Sequence, residues 1–463
     1  MNLVLWGVLG YIVLQLAVGV AVSRRIRTES DYLVAGRRIG LPLAVFSMFA
    51  TWFGAETCIG AAGLFYADGL SGGTTDPFGY ALALFLVGWF IARPLWNRGL
   101  TTLADLFRAR YGPATERFAA LMMVPTSVFW AAAQIRAFGI VLHAATGIDV
   151  TTAVLVATGV VIVYTCTGGL LADVITDFIQ GVAIILGLGA LLVFLALAPD
   201  VDLGRAWSAV GPERLEFFSG EAGFWERLDV WLTLLLGSVV AQEIAARVLG
   251  TKSADTAVRA THLGGLLYLT VGLVPAFLGL IGPSLLPDLA DPETFLPRLA
   301  EAHLPPLLFV LFTGALVSAI LSTVDSTLLA AGSLTAHNVV VSFRPSLSDR
   351  ARLRLARAGV AVFGLIACGL ALGAESIFEL VQQANGVGSA GICVLLVGGL
   401  YAGRFGGPRA GLAALAAGLG TWTWGTYVGD WSVTYLVSLA SATTAFVAVG
   451  LTERPRSAGP AGL

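Results

Sequence analysis

The sequence predicts an all-α integral membrane protein of about thirteen spanning helices, and three observations carry that prediction. Apolar residues make up 57% of the 463-residue chain and charged residues 12%, with a mean hydropathy of +0.84. A soluble domain carries roughly twice that charged share, so these side chains suit lipid as their solvent. Runs of about 20 apolar residues, enough to cross a bilayer, recur along the whole chain. The basic residues then fall almost entirely on alternate connections between those runs.

Taken in order, the apolar runs lie near 3–22, 40–66, 78–97, 118–145, 150–168, 175–198, 228–249, 263–283, 306–341, 357–373, 377–401, 409–429 and 431–451. The first lacks a basic flank and a small-residue cleavage site, so it reads as a retained helix and not a signal peptide. With the N-terminus outside, the inward connections hold Arg24, Arg25, Arg27, Arg37 and Arg38, then Arg93, Arg98, Arg108, Arg110 and Arg117. They continue with Arg247, Lys252 and Arg259, then Arg344, Arg350, Arg352, Arg354 and Arg357, then Arg404, Arg409, Arg454 and Arg456. The outward side holds Arg205, Arg214, Arg227 and Arg298, and Arg136 alone of the 27 Lys and Arg lies inside a helix. Such asymmetry orients a polytopic protein with its basic loops in the cytoplasm, and a miscount of one helix would scramble it. The expectation is a plasma (inner) membrane protein whose C-terminus is cytoplasmic.

Segments 199–227 and 284–304, rich in Pro, Asp and Glu, are expected to form short surface helices outside the bilayer. The tail after Leu451 reads as disordered, with no appended soluble domain. The 56 glycines suit close helix packing in lipid. Cys58, Cys166, Cys368 and Cys393 all lie in apolar stretches without a CxxC pair, which points away from disulfides and zinc.

Ionisable side chains inside apolar helices are costly and generally face a cavity or one another. Here they are Glu56, Arg136, Asp177, Glu243 and Asp325, with Asp76 near an outer end. Arg136 could pair with Glu56 or Glu243 simply to hold helices together. Glu243, four residues before Arg247, could form an ordinary salt bridge near the inner surface, and Asp76 before Pro77 could cap a helix. In the ninth helix Ala319, Ser322, Thr323 and Ser326 are spaced i, i+3, i+4, i+7 and share one face. Hydroxyl oxygens on a stripe suit a hard cation such as Na⁺, and equally suit packing between helices. In the second helix Gly54, Gly60 and Gly63 permit unwinding that would free carbonyls, with a matching weak point at Gly237–Ser238 five helices later. Paired interruptions of this kind mark inverted-repeat transporters.

At these residues the chain resembles the sodium:solute symporter family over nearly its whole length. The likeness rests on Asp31-Tyr-Leu-Val-Ala-Gly-Arg37, Gly60-Ala-Ala-Gly63, Tyr164-Thr-Cys-Thr-Gly-Gly-Leu170, Thr176-Asp-Phe-Ile-Gln180 and Ser322-Thr-Val-Asp-Ser326. The resemblance implies a LeuT-like fold with a 5+5 inverted repeat: a first helix and loop over 1–39, and a transport core over 40–401. Its repeats would span about 40–198 and 228–401, and 402–463 would add two helices and the tail. It also implies sodium as the coupling ion, held by the carbonyls of Ala50, Phe53 and Ala319 and the hydroxyls of Ser322 and Thr323. Asp177, Asp325 and Ser326 match positions tied to sodium coupling or to a second sodium.

Within the family the chain is most similar to the choline-transporter branch, through Ala50-Thr-Trp-Phe-Gly54, Asp76-Pro-Phe-Gly-Tyr80 and Phe129-Trp-Ala-Ala-Ala133. Trp52, Tyr80 and Trp130 match aromatic cage positions of that branch, where ring faces attract a quaternary ammonium. Gly54, Thr57 and Asp76 are expected beside the solute. Two features depart from the branch: Ala241 stands near the place of a cage Trp, and Arg136 occupies an uncharged position. A guanidinium grips a carboxylate well, as the Arg on this helix does in sialic-acid members of the family. The first expectation is therefore uptake of a small carboxylate-bearing or zwitterionic solute with Na⁺, by alternating access and as a monomer. The alternatives are a choline-like amine carrier and a membrane sensor that binds without transporting. An enzyme is disfavoured, because His143, His262, His303 and His337 sit near predicted helix ends and Asp325–Ser326 has no His beside it. Nothing in the sequence points to nucleic acid.

Overall fold

The computed structural model describes residues 28–453 apart from 74, 219–221 and 345, with scattered positions between 6 and 22. The helix expected over 3–22 and the end of the tail lie largely outside the described residues. Helices α1 (Glu29–Val34), α2 (Leu41–Trp52) and α3 (Glu56–Asp68) open the chain, followed by α4 (Thr75–Trp96), α5 (Leu103–Tyr111) and α6 (Pro113–Thr146). Next come α7 (Val150–Leu197), α8 (Phe224–Val239), α9 (Gln242–Gly250), α10 (Ala254–Leu285) and α11 (Phe295–His303). The chain continues with α12 (Pro306–Phe343), α13 (Asp349–Gly373), α14 (Ile377–Gly386), α15 (Ser389–Tyr401), α16 (Pro408–Tyr427) and α17 (Thr434–Thr452).

Among the described residues, eight helices are long and apolar enough to cross a membrane, or ten when each bent pair counts as one span. The predicted runs near 150–168 and 409–429 are helical but fall short of that length or apolarity. Short helices Leu203–Ser208, Pro212–Leu215 and α11 occupy the two predicted surface segments.

The breaks carry the architecture. Helices α2 and α3 meet at 53° across Phe53–Ala55, and α14 and α15 meet at 43°. The second interruption lies at Val240–Ala241 (φ −66°, ψ 135° at Ala241), so α8 runs straight through the weak point predicted at Gly237–Ser238. Gly237 has another purpose: a Cβ there would lie 2.6 Å from the Asn385 carbonyl, so the glycine permits α14 to pack against α8. The predicted junction between the fifth and sixth helices is a kink at Gly169 (φ +60°, ψ 176°), where the backbone leaves the helix and divides α7 in two. That left-handed backbone favours glycine, and Tyr32 fills the space where a Cβ would stand. Around these breaks α12 packs along α7 and α6, and α10 packs along α2.

At the arginine-rich end a polar network ties α1, α5, α12 and α13 together. His337 Nδ1 lies 2.8 Å from Glu29 Oε1 and its Nε2 3.4 Å from Asp105 Oδ1, while Arg352 Nη1 reaches Glu29 Oε2 at 2.9 Å. Asn338 adds bonds to Asp105 and Glu116, each at 2.9 Å. Burial alone would raise the Glu29 carboxyl, but the hydrogen bonds and charge of His337 and Arg352 outweigh it and hold the group below its ordinary value of 4.5. A carboxylate depressed on folding stabilises above its unfolded pKa and loses that contribution as pH falls through the folded value. The thermal midpoint of the purified chain is therefore expected to drop on acidification below about pH 4.5. Glu29→Gln should lower the midpoint at neutral pH and shrink the acid-induced drop; an unaltered pH profile in the variant would contradict this ion pairing.

Candidate functional site

Helix α2 ends because its hydrogen-bond ladder is interrupted. The Gly54 N–H donates to the Trp52 carbonyl at 2.9 Å, which leaves the Ala50 carbonyl without its helical donor. That carbonyl instead accepts the Ser322 hydroxyl from α12 at 2.7 Å. Ser322 Oγ also lies 3.0 Å, and Thr323 Oγ1 3.2 Å, from the Ala319 carbonyl. Four of the five expected sodium ligands thus converge, and the fifth, Phe53, is the residue at which the backbone leaves the helix (φ −79°, ψ 70°). Neutral carbonyl and hydroxyl oxygens are the donor type a hard cation prefers.

Gly54 brings this cluster against the next one. A Cβ at 54 would lie 2.6 Å from Thr323 Oγ1, 2.8 Å from Glu56 Oε2 and 2.9 Å from Gln134 Oε1. The Glu56 carboxylate, 4% exposed, accepts the Trp130 indole N–H at 3.0 Å and the Gln134 amide at 2.7 Å. Trp52 meets Trp130 edge-on, with centroids 5.2 Å apart. Asp76, 5% exposed, accepts Thr57 Oγ1 at 2.8 Å and the Tyr268 hydroxyl at 2.9 Å. Tyr80 lies 6.1 Å from the Tyr268 ring, and its hydroxyl accepts the Asn385 amide at 3.4 Å. Among the described residues no Lys or Arg side chain is paired with Glu56 or Asp76. The space between Glu56, Asp76, Tyr80, Leu234, Phe378 and Val381 is only about 10 Å³, room for roughly one water. A solute must therefore displace the walls.

The structure gathers Trp52, Gly54, Thr57, Asp76, Tyr80 and Trp130 here. It does not bring Arg136 to them. Gln134, four residues beyond Trp130, shares its face, whereas Arg136 at six residues points roughly two-thirds of a turn away. The Arg136 Nη2 donates to the Glu375 carbonyl at 2.7 Å, ahead of α14, so the alternative pairing with Glu56 or Glu243 is not formed either. Ala241 marks the α8–α9 break, and Leu234 of α8 faces the chamber instead. Sequence reasoning missed Tyr268, Gln134 and Asn385; only Gln134 gave a signal, as an amide in an apolar run one turn from Trp130.

A third cluster lies one turn along α12. Arg247, 2% exposed, is buried and not part of an inner loop, and its salt bridge with Glu243 is absent. Its Nη2 lies 2.9 Å from Asp173 Oδ2, 3.0 Å from Asp177 Oδ2 and 2.7 Å from Ser326 Oγ, and its Nε 2.8 Å from Ser47 Oγ. Glu243 accepts the Ser127 hydroxyl at 2.7 Å. Asp325 accepts the Ser326 N–H at 2.8 Å, and Ser326 Oγ donates to the Ser322 carbonyl at 2.7 Å, joining this network to the hydroxyl cluster. Breaking a buried pair of this kind strands a charge and costs about 3–5 kcal/mol. Asp173 was legible in principle, since it lies four residues before Asp177 on the same helix face.

Residues 32–418 match the model of the sodium:solute symporter family. The chain belongs to this family. It is 31% identical to the human high affinity choline transporter 1 over 75% of its own length and 63% of that protein's. The Drosophila melanogaster high-affinity choline transporter 1 is 30% identical over 80% of this chain and 62% of its own length. The chain thus spans less than two thirds of the length of these two choline transporters. The high-affinity proline transporter PutP of Bacillus subtilis (strain 168) is 27% identical, with 77% and 78% covered. In fold, the chain is similar to a Na⁺-coupled sialic acid symporter in a substrate-bound outward-open state, at TM-score 0.86 and 18% identity, covering 98% of both chains. Mhp1, a nucleobase-cation-symport-1 family transporter in a closed conformation, aligns at TM-score 0.61 and 13% identity, over 92% of this chain and 95% of its own. The fold is therefore LeuT-like, and the family and these relatives are transporters, not enzymes.

The α2–α12 cluster makes a direct prediction. Ser322→Ala or Thr323→Ala should raise the Na⁺ concentration needed for half-maximal thermal stabilisation by about tenfold, the worth of one lost ligand near 1.4 kcal/mol. Gly54→Ala should do the same by pushing Thr323 away. Unchanged sodium dependence in all three variants would remove the cluster as an ion site.

Proposed function

We propose that this chain is a Na⁺-driven symporter that takes up a small organic solute bearing a positively charged ammonium centre, by alternating access across the plasma (inner) membrane. The observation that carries the reading is the pair of buried carboxylates, Glu56 and Asp76, set among Trp52, Trp130, Tyr80 and Tyr268 without a basic partner among the described residues. An unpaired buried carboxylate is expensive, and an ammonium relieves that cost while the ring faces add cation–π attraction of up to about 2 kcal/mol. The similarity to high affinity choline transporters agrees with this chemistry.

Sodium would bind at Ala50, Phe53, Ala319, Ser322 and Thr323 and hold α2 to α12 in the state that receives solute. Because Gly54 touches both the hydroxyl cluster and Glu56, sodium fixes the chamber wall that carries the carboxylate. Each ligand then favours the same conformation, and the coupling is reciprocal. The Arg247 network with Asp177, Asp325 and Ser326 lies beneath, at the place matched to sodium coupling. The arginine-rich loops would face the cytoplasm, the N-terminus would be outside, and one chain would suffice for the cycle.

A second reading keeps a zwitterionic solute. The Nε of Arg136 is buried without a hydrogen-bond partner, and a solute with its ammonium at Glu56 could direct a carboxylate toward it. Uptake into proteoliposomes under an inward Na⁺ gradient separates the readings. Choline and tetramethylammonium should compete, simple monocarboxylates should not, and Glu56→Gln or Asp76→Asn should cut uptake by more than about tenfold. Arg136→Gln should weaken glycine betaine and spare choline if the solute is zwitterionic. Competition by monocarboxylates with none by amines would overturn the ammonium chemistry.

A further inference from the structure

Behind the chamber, at the end of the bundle remote from the arginine-rich connections, lies a separate polar cavity of about 220 Å³. It opens between α8 and α14 on one side and the α16–α17 hairpin on the other. Its walls include the carboxylates of Asp229 and Asp430, the indoles of Trp422 and Trp431, and the amides of Gln382 and Gln383. No Lys or Arg is among its lining residues. The volume is below the roughly 300–1,000 Å³ that takes drug-sized ligands, so its occupant is a small solute.

The walls are built, not incidental. Asp229, 8% exposed, is fixed by the Leu436 N–H at 2.7 Å. The turn after α16 is closed by Trp431 N–H to the Gly425 carbonyl at 2.9 Å and by Thr434 Oγ1 to the Trp431 carbonyl at 2.8 Å. A Cβ at Gly425 would lie 2.7 Å from the Trp431 ring, so this glycine leaves room for the indole against the helix end. Asp430 takes a left-handed backbone (φ +47°) in the same turn. Trp422 meets Tyr427 edge-on at 5.8 Å, and the Tyr427 hydroxyl bonds Gln383 at 3.1 Å across the cavity rim.

Two carboxylates beside two indoles, with no lysine or arginine in the lining, bring together the same group types as the central chamber, here more open to solvent, since Asp430 is exposed and Trp431 is 42% exposed. We propose that this cavity is a second, outer binding site for a small organic ammonium, and that its occupant slows uptake without competing for the chamber. The link is the shared wall. Phe378 and Val381 of α14 face the chamber while Gln382 and Gln383 face the outer cavity; in α8, Leu234 faces the chamber and Asp229 and Thr233 the cavity. Trp422 also packs on Gly386, where a Cβ would lie 2.7 Å from its Nε1, next to the Asn385 that bonds Tyr80. Since the chamber is packed shut, admitting a solute must displace its walls, and in this proposal the wall that yields is α14. A filled outer cavity opposes that movement.

This site is independent of whether the chamber reading holds, and tetramethylammonium is the probe that separates them. In the full chain carrying Trp130→Ala, which cripples the chamber, tetramethylammonium should still raise the thermal midpoint saturably. Adding Trp431→Ala and Asp430→Asn should weaken that effect at least about fivefold. If Trp130→Ala does not fold, the wild-type titration should show two phases, and the Trp431→Ala, Asp430→Asn pair should remove one. In proteoliposomes the same probe should lower the maximal uptake rate of the wild type, and the pair should relieve this. A single phase, or a response that survives both substitutions, overturns the outer site and leaves the chamber reading untouched. Loss of the chamber reading would instead appear as normal uptake by Trp130→Ala.

Discussion

At residue 54 three groups from three helices crowd a single point: the Thr323 hydroxyl from α12, the Glu56 carboxylate from α3 and the Gln134 amide from α6. No side chain fits among them. A glycine there does two jobs, since the same residue turns its N–H onto the Trp52 carbonyl and so releases the Ala50 carbonyl to Ser322. The hydroxyl and carbonyl cluster proposed for sodium and the acidic chamber are therefore two sides of one backbone break. Moving either side moves the other, which is the physical content of coupling between ion and solute. Irregular backbone at this depth is tolerated because it is buried within protein, where side chains satisfy the freed groups. Gln134 illustrates this, accepting the Ala55 N–H at 2.9 Å while donating to Glu56.

The electrostatics are layered along α12. Nearest the break are neutral oxygens; one turn on, Ser326 passes to Arg247 and the Asp173–Asp177 pair. Beyond that, His337 and Arg352 bind Glu29 at the arginine-rich end. The layers join α12 to different helices, α2 first, then α7 and α9, then α1 and α5, so a rotation of α12 strains all three. A fold whose repeats rock against each other needs contacts of this kind, strong when made and grouped along one element.

Much of this was legible in the sequence, and the reasons differ by feature. Helix positions follow from a one-dimensional pattern, apolar length, and the structure places helices at the runs from 40 onward, eight to ten of them long and apolar enough to span a membrane. The Ala319, Ser322, Thr323 stripe was readable because helical periodicity puts those residues on one face. The resemblance then supplied their partner, the Ala50 carbonyl, which no periodicity could give. Arg136 misled because a charged residue near an aromatic cluster in sequence was taken to face it, although six residues on a helix turn it away. Arg247 was counted with an inner loop because it ends an apolar run, yet three helices fold over it. Tyr268 carried no mark at all: its role depends on α10 meeting α2 and α4, a contact between residues about 190 positions apart.

Coupling through Gly54 is tested most directly by a double titration of the purified chain, measuring choline affinity across a series of Na⁺ concentrations and Na⁺ affinity across a series of choline concentrations. The expected result is that each ligand tightens the other by the same factor, as linkage through one shared break requires. Choline affinity that is indifferent to Na⁺, in a chain that still binds both, would contradict it.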